Sequence, residues 1–236
     1  MFQTDPFSLI VLFVGLSLLP FVAMVATSYL KIVVVMSLIR NALGIQSIPP
    51  NMVINALAMI LTFYIMAPMA SESWTIAKTE LAKANRAASS AAAANTSHQP
   101  PTTNAFFETD AVLKAAEPFR TFLSSHTSDR ERAFFVNTAE RLWAKGEDEL
   151  ATVDPESFYI LIPSFCVSEL TKAFQIGFLV YLPFIAIDII VSNILLAMGM
   201  MMVSPVTISL PFKLLLFVMV NGWTLLIQGL IRGYLI

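Results

Sequence analysis

The chain has 236 residues, of which 57% are hydrophobic and only 13% are charged, and its net charge is -2. Soluble domains carry about 25% charged residues, so this composition indicates a membrane protein. The absence of a basic excess disfavours nucleic-acid binding, and the single cysteine, Cys166, excludes a disulfide within the chain.

The first predicted element is an apolar helical hairpin over residues 1–71. Residues 6–30 carry no charge and are long enough to cross a hydrocarbon core of about 30 Å. We interpret this run as a retained helix, because a signal peptide would begin with basic residues and be shorter. Gly44 and the Pro49-Pro50 pair predict a turn, after which residues 52–70 form the second apolar segment.

A soluble helical insert is predicted over residues 72–156, which contain 22 of the 30 charged residues. Within it, residues 84–105 are rich in Ala, Ser, Thr, Asn and Pro, a composition that predicts a flexible linker. After the linker, the spacing of Ser128 and Glu131 fits a capping box at the start of a helix.

The second apolar hairpin is predicted over residues 157–236. Its first segment covers about residues 173–202, with interruptions at Pro183 and Asp188, and its second segment begins near Pro211. The predicted fold is therefore all-α and membrane-associated, with four long apolar helices in two hairpins and the soluble insert between them.

A methionine cluster lies at the tip of the second hairpin. Its members are Met198, Met200, Met201 and Met202. Methionine re-packs readily because its side chain is unbranched and polarizable, and Ser204-Pro205 then directs the backbone out of the helical region. Such a cluster suits a deformable constriction at a turn or an ordinary packed core, and the residues alone leave both interpretations open.

Charged side chains inside the apolar segments are candidates for pairing. They are Asp188, Lys213, Glu169 and Lys172. Glu169 and Lys172 are three residues apart and are neighbours on a helix. A charge at membrane depth costs about 2.5–3.5 kcal/mol and is therefore usually paired or functional. One hypothesis is that Asp188 and Lys213 form an ion pair that docks helices. The alternative is that Asp188 is the ion site of a proton- or solute-coupled transporter. The ion pair is favoured, because no further acidic or histidine partner aligns with Asp188.

No catalytic, cofactor or metal site is predicted. His98 and His126 belong to no recognisable ligand spacing, and the phosphate-binding, dinucleotide-binding and nucleophile-elbow motifs are missing. Lys31 and Arg40 flank the short loop of the first hairpin, which places that loop in the cytoplasm and both termini and the insert on the other side.

Some segments are distinctive as whole motifs. They are RNALGIQSIPPN at 40–51, TFYIMAP at 62–68, SELTKAFQIGF at 168–178, MGMMMVSPVTISLPFK at 198–213 and NGWTLL at 221–226. Their order and sequence resemble the FliP/SctR family, the export-apparatus proteins of flagellar and virulence-associated type III secretion systems. The resemblance covers nearly the whole chain except the region around 84–105. The SPVTIS run and the direct start at the first helix resemble the virulence branch, the injectisome, while Asn221 stands where such proteins often have Asp.

The resemblance implies a non-enzymatic, pore-forming subunit of an export gate that passes unfolded substrate proteins across the bacterial inner membrane. It implies a ring of about five copies, joined by FliQ/SctS-like and FliR/SctT-like subunits and by further export components. In such proteins the methionine loop is a gasket, which here would be formed by Met198, Met200, Met201 and Met202. It also implies that the apolar hairpins stand largely outside the bilayer, in conflict with four simple spans. A purely structural scaffold, with the pore formed by other subunits, is a further alternative.

Overall fold

A computed structural model describes residues 6–45, 48–94, 113–143 and 153–235. These ranges consist of α-helices and connecting turns, with no β-strand among them, so the all-α class is confirmed there. The main helices are α1 (Pro6–Val25), α2 (Tyr29–Ala42), α3 (Asn51–Ala94), α4 (Glu117–His126), α5 (Asp129–Leu142), α6 (Phe158–Ala197), α7 (Pro205–Met219) and α8 (Gly222–Arg232).

Two helical stretches are long and apolar enough to cross a membrane, namely Asn51–Glu80 within α3 and the whole of α6. The other two apolar segments are broken helices: α1 and α2 meet at a bend of 54°, and α7 and α8 at a bend of 59°. The described part of the chain thus has two candidate spans, or up to four if each bent pair forms one span. All four predicted apolar segments are helical, but two are broken and two are longer than predicted.

The break between α1 and α2 lies inside the uncharged run 6–30. The Thr27 hydroxyl donates to the carbonyl of Ala23 at 2.6 Å and accepts from the backbone N–H of Tyr29 at 3.4 Å. Hydroxyl side chains that bond to nearby backbone groups compete with the helical ladder. The prediction of one continuous helix through this run was therefore wrong, because α1 ends at Val25.

Proline positions explain the limits of α6 and α7. Pro183 and Asp188 do not interrupt α6, which is continuous over 40 residues. Pro205, rather than Pro211, begins α7. The first helical position tolerates proline because its N–H would have no partner in the helix anyway. Pro211 lies inside α7, so the predicted start near that residue was too late.

The α7–α8 bend is centred on Asn221, whose backbone is left-handed with φ 51° and ψ 45°. Only glycine and, less often, asparagine or aspartate adopt this conformation without a large steric cost. The residue type at 221 therefore satisfies a backbone requirement, which aspartate would satisfy as well.

In the predicted insert, α3 continues to Ala94 and includes residues 84–94 of the predicted linker. These residues are rich in alanine, the strongest helix former, which explains why a helix covers this part of the predicted linker; the flexibility of the linker stays a prediction. Residues 95–105 lie outside the described residues. Ser128 is the N-cap of α5, as predicted, but its side chain makes no hydrogen bond to the first turn, which is the bond that a capping box requires of the N-cap side chain.

The chain divides into two compact units: residues 1–65 with 164–236, and residues 66–163. The predicted domain limits at 71/72 and 156/157 stay predictions. In the first unit, α2 is the most enclosed helix, because Ile32, Val35, Met36 and Ile39 are fully buried. Side chains from the other helices surround it, among them Ile54, Ala58, Ala173, Phe184, Phe217 and Leu230.

Gly177 marks a close approach between α6 and α2. A Cβ at Gly177 would overlap the Leu38 Cδ1 atom and lie 3.2 Å from the Leu38 Cβ atom. We expect Gly177→Ala to lower the free energy of unfolding by roughly 1–3 kcal/mol, the usual cost of overpacking. Thermal unfolding of the purified protein in detergent measures this loss. The control is Gly229→Ala, since a Cβ at Gly229 has no neighbouring atom within 4 Å; equal melting temperatures of the two variants would contradict the expectation.

Candidate functional site

The methionine loop, residues 198–204, joins α6 to α7. Its methionines are exposed in the single chain: 67% for Met198, 42% for Met200, 80% for Met201 and 101% for Met202. None of them belongs to the core of the unit. The loop thus presents flexible apolar side chains that the single chain does not cover.

A second group of residues, the Asp188 cluster, ties the two arms of the loop together. It consists of Asp188 on α6, Ser209 and Lys213 on α7, and the backbone carbonyl of Ala42. Lys213 Nζ lies 2.7 Å from Asp188 Oδ2, and Ser209 Oγ donates to Asp188 Oδ1 at 2.5 Å. Both oxygens of the carboxylate therefore accept hydrogen bonds, and the pair forms within one chain.

Lys213 also connects these arms to α2. Its ammonium donates to the carbonyl oxygen of Ala42 at 3.3 Å, and its side chain is only 4% exposed. Ala42 is the last residue of α2, where carbonyl groups lack partners within the helix and the helix dipole favours a cation. One buried ammonium thus joins α2, α6 and α7.

A third group, the Glu169 cluster, consists of Glu169, Lys31, Lys172 and Tyr234. Lys31 Nζ lies 2.9 Å from Glu169 Oε2, and Lys172 Nζ lies 3.1 Å from Glu169 Oε1. The Tyr234 hydroxyl also donates to Glu169 Oε2. The side chains of Lys31 and Glu169 are 3% and 0% exposed, whereas that of Lys172 is 41% exposed.

Tyr234 completes this cluster from the C-terminal side of α8. Its ring lies under the Lys31 ammonium, with 3.5 Å between Nζ and the ring centroid. Burial, and then the negative charge of Glu169, raise the pKa of Tyr234 above its ordinary value, so the phenol remains a protonated donor. A buried carboxylate with three donors is well satisfied, and the cluster connects α2, α6 and the residues that follow α8.

The sequence predicted only part of these contacts. Glu169 and Lys172 are paired as helix neighbours, and Asp188 and Lys213 meet from opposite arms. Sequence reasoning missed Lys31, Ser209 and Tyr234. A signal for Lys31 existed, because an isolated cation at the edge of an apolar run usually has a partner.

The remaining polar candidates form no further site in the described parts of the chain. Within them, no group of three or more His, Cys, Asp or Glu side chains could hold a metal ion. His98 lies outside the described residues, and His126 Nδ1 lies 2.9 Å from the Phe122 carbonyl at the end of α4. Cys166 Sγ lies 3.3 Å from the Val25 carbonyl.

The model of the FliP family matches residues 12–230. The chain belongs to this family. Among FliP-family relatives, Yop proteins translocation protein R of Yersinia pestis is 46% identical over 230 residues, which are 98% of this chain and 97% of that protein. Hypersensitivity response secretion protein HrcR of Ralstonia nicotianae is 44% identical over 227 residues, 96% of each chain. Flagellar biosynthetic protein FliP of Agrobacterium fabrum is 37% identical over 219 residues, 93% of this chain and 80% of that protein.

These identities favour the injectisome branch of the FliP family over the flagellar branch, as the motifs predicted. Membership in the family supports a role in a type III secretion apparatus. The apolar helices fit a membrane-embedded component of such an apparatus.

Proposed function

We propose that this FliP-family chain is a pore-forming subunit of a type III export gate, which passes unfolded substrate proteins across the bacterial inner membrane. The subunit acts in a ring of about five copies, together with FliQ/SctS-like and FliR/SctT-like subunits and further export components. It has no enzymatic activity, and the energy for transport comes from elsewhere in the machine. The names of its relatives, which refer to translocation, secretion and flagellar biosynthesis, support this assignment.

The observation that carries the proposal is the exposure of the methionine loop. Met201 and Met202 are 80% and 101% exposed although both are strongly apolar. Large exposed apolar groups in a cluster mark a surface that meets another molecule. In a ring, the loops of neighbouring copies would meet at the centre, where thioether side chains pack against each other and adapt to a passing chain.

The Asp188 cluster supports the same function by fixing the base of the loop. Asp188 and Lys213 lie on the two arms that enter and leave it, and their ion pair is 2.7 Å long. A loop whose arms are tied together can deform at its tip while its base keeps its place. We assign Asp188, Lys213, Glu169 and Lys172 to helix docking, and the methionines to the gasket.

Transport coupled to protons or small solutes through Asp188 has less support. Both oxygens of this carboxylate already accept hydrogen bonds, from Ser209 and from Lys213. An ion site would need a carboxylate that is free to exchange its partner. The structural contacts therefore favour docking over ion binding at this residue.

Deleting Met200, Met201 and Met202 tests the gasket. In cells that express the complete export complex, the deletion should cause a severalfold rise in ion leakage across the inner membrane, while the complex still co-purifies with its partner subunits. The matched control is Met219→Ala, which removes a methionine that is 73% exposed on α7 and should leave leakage unchanged. Unchanged leakage with an intact complex would overturn the gasket and favour a structural scaffold.

A further inference from the structure

We propose that Gly199 is the positioning residue of the methionine loop, because its left-handed backbone sets the direction in which the methionines project. The proposal rests on the proposed gasket function and extends it to a residue that has no side chain in the seal.

The conformation of Gly199 is the first observation. Its φ angle is +74°, and a Cβ at this position would meet no atom within 4 Å. Space is therefore not the reason for glycine here. The reason is the backbone, since a left-handed conformation brings the Cβ of other residues too close to the following carbonyl oxygen.

The hydrogen bonds around Gly199 form the second observation. The N–H of Met200 donates to the Leu195 carbonyl at 2.9 Å, and the N–H of Gly199 donates to the Leu196 carbonyl at 3.0 Å. This pair of bonds is the Schellman motif, which ends a helix with a left-handed residue, usually glycine. The N–H of Met201 then donates to the Gly199 carbonyl at 3.0 Å, so the turn continues directly into the methionines.

Both ends of the loop are fixed by backbone geometry. At the start, Leu195 is only 8% exposed and anchors the last turn of α6. At the end, Ser204 has an extended backbone and Pro205 occupies the first turn of α7. Between these two ends the left-handed residue determines the course of the chain. A change at Gly199 would turn Met200, Met201 and Met202 together.

A seal made of several copies needs each loop to present its methionines at the same level. A residue at 199 that avoids the left-handed conformation would shift the loop and open gaps between copies. Gly199 thus acts through the methionines, without touching a substrate itself.

The test is a series of substitutions, Gly199→Asn, Gly199→Ala and Gly199→Val, in the complete export complex, with ion leakage as the readout. Asparagine tolerates the left-handed conformation best and valine worst. We expect leakage near the wild-type value for Asn, severalfold higher for Ala and highest for Val. If position 199 instead required a small side chain, Gly199→Ala would leak less than Gly199→Asn. That order would overturn the proposal.

Two further variants complete the experiment. Gly229→Ala, at a helical glycine whose Cβ would also meet no atom within 4 Å, should leak as little as the wild type, and leakage there equal to that of Gly199→Ala would count against the proposal. If Gly199→Val fails to co-purify with its partners, the comparison of Asn with Ala decides the result. Deletion of Met200 to Met202, measured in parallel, separates the two proposals. If the deletion causes no increase in leakage, the gasket is overturned and this inference with it. If the deletion increases leakage but leakage in the Gly199 series follows side-chain size, only this inference is overturned.

Discussion

Replacing Glu169 by glutamine is expected to destabilise the protein more than any other single change to its charged residues. The Lys31 side chain is 3% exposed, and Glu169 is the carboxylate that balances it. Removal of one partner from a buried ion pair costs about 3–5 kcal/mol, because the other charge remains buried without compensation. Unfolding of the purified protein by denaturant, and its yield in membranes, measure the effect.

The origin of this loss can be separated from general damage. If an unpaired Lys31 is the cause, the double variant Lys31→Met with Glu169→Gln should be more stable than Glu169→Gln alone. Lys172→Met is the matched control, because the Lys172 side chain is 41% exposed and exposed ion pairs contribute about 1 kcal/mol or less. Equal stability of Glu169→Gln and Lys172→Met would show that burial of the pair has no energetic role.

The second large effect is expected at Asp188, where alanine would leave the buried Lys213 ammonium without its counter-charge. The cost is at most about 3–5 kcal/mol, the range for a fully buried pair, because the Asp188 side chain is 32% exposed. It falls on the junction of α2, α6 and α7. Blue native electrophoresis of the export complex should therefore show loss of assembly. An ion-coupled transporter would behave differently, since the same Asp188→Ala variant would assemble normally and lose only transport.

The contacts of Lys213 also predict that exchange of the two residues does not restore assembly. In the chain with Asp188→Lys and Lys213→Asp, the aspartate at position 213 is shorter than lysine and has no donor for the Ala42 carbonyl, which now accepts from an ammonium at 3.3 Å. That buried carbonyl would lose its partner, and Ser209 would lose the carboxylate that it bonds at 2.5 Å. Full assembly of the exchanged chain would show that only the Asp188–Lys213 attraction matters, and that the bond to Ala42 does not.

Long apolar runs allowed the sequence to predict which segments are helical, but not where those helices break. The bend after Val25 depends on the bonds of the Thr27 hydroxyl, and the bend at Asn221 depends on one left-handed residue. Hydrophobic periodicity contains no information about either. Alanine-rich composition is compatible with both a helix and a linker. Residues 84–94 were predicted as part of a linker, but they continue α3.

The candidate site was predictable where its residues are close in sequence or lie on adjacent arms. Glu169 and Lys172 follow from helix geometry, and the methionine loop follows from composition. The contacts of Lys31 and Tyr234 with Glu169 join segments far apart in the chain, and depend on how α2, α6 and the C-terminal residues pack. That packing has no local signal in a single sequence.

The lengths of α3 and α6 determine how much of their apolar surface can lie within the lipid. With 44 and 40 residues, these helices extend over about 66 Å and 60 Å at 1.5 Å per residue. The hydrocarbon core of a bilayer is only about 30 Å thick, so a steeply inserted helix of this length leaves about half of itself outside the lipid. Phe174 and Phe178 of α6 are 54% and 62% exposed in the single chain. Where such side chains lie outside the lipid, only contacts with other protein chains can shield them from water. The solubility of each subunit therefore depends on its packing against neighbouring subunits.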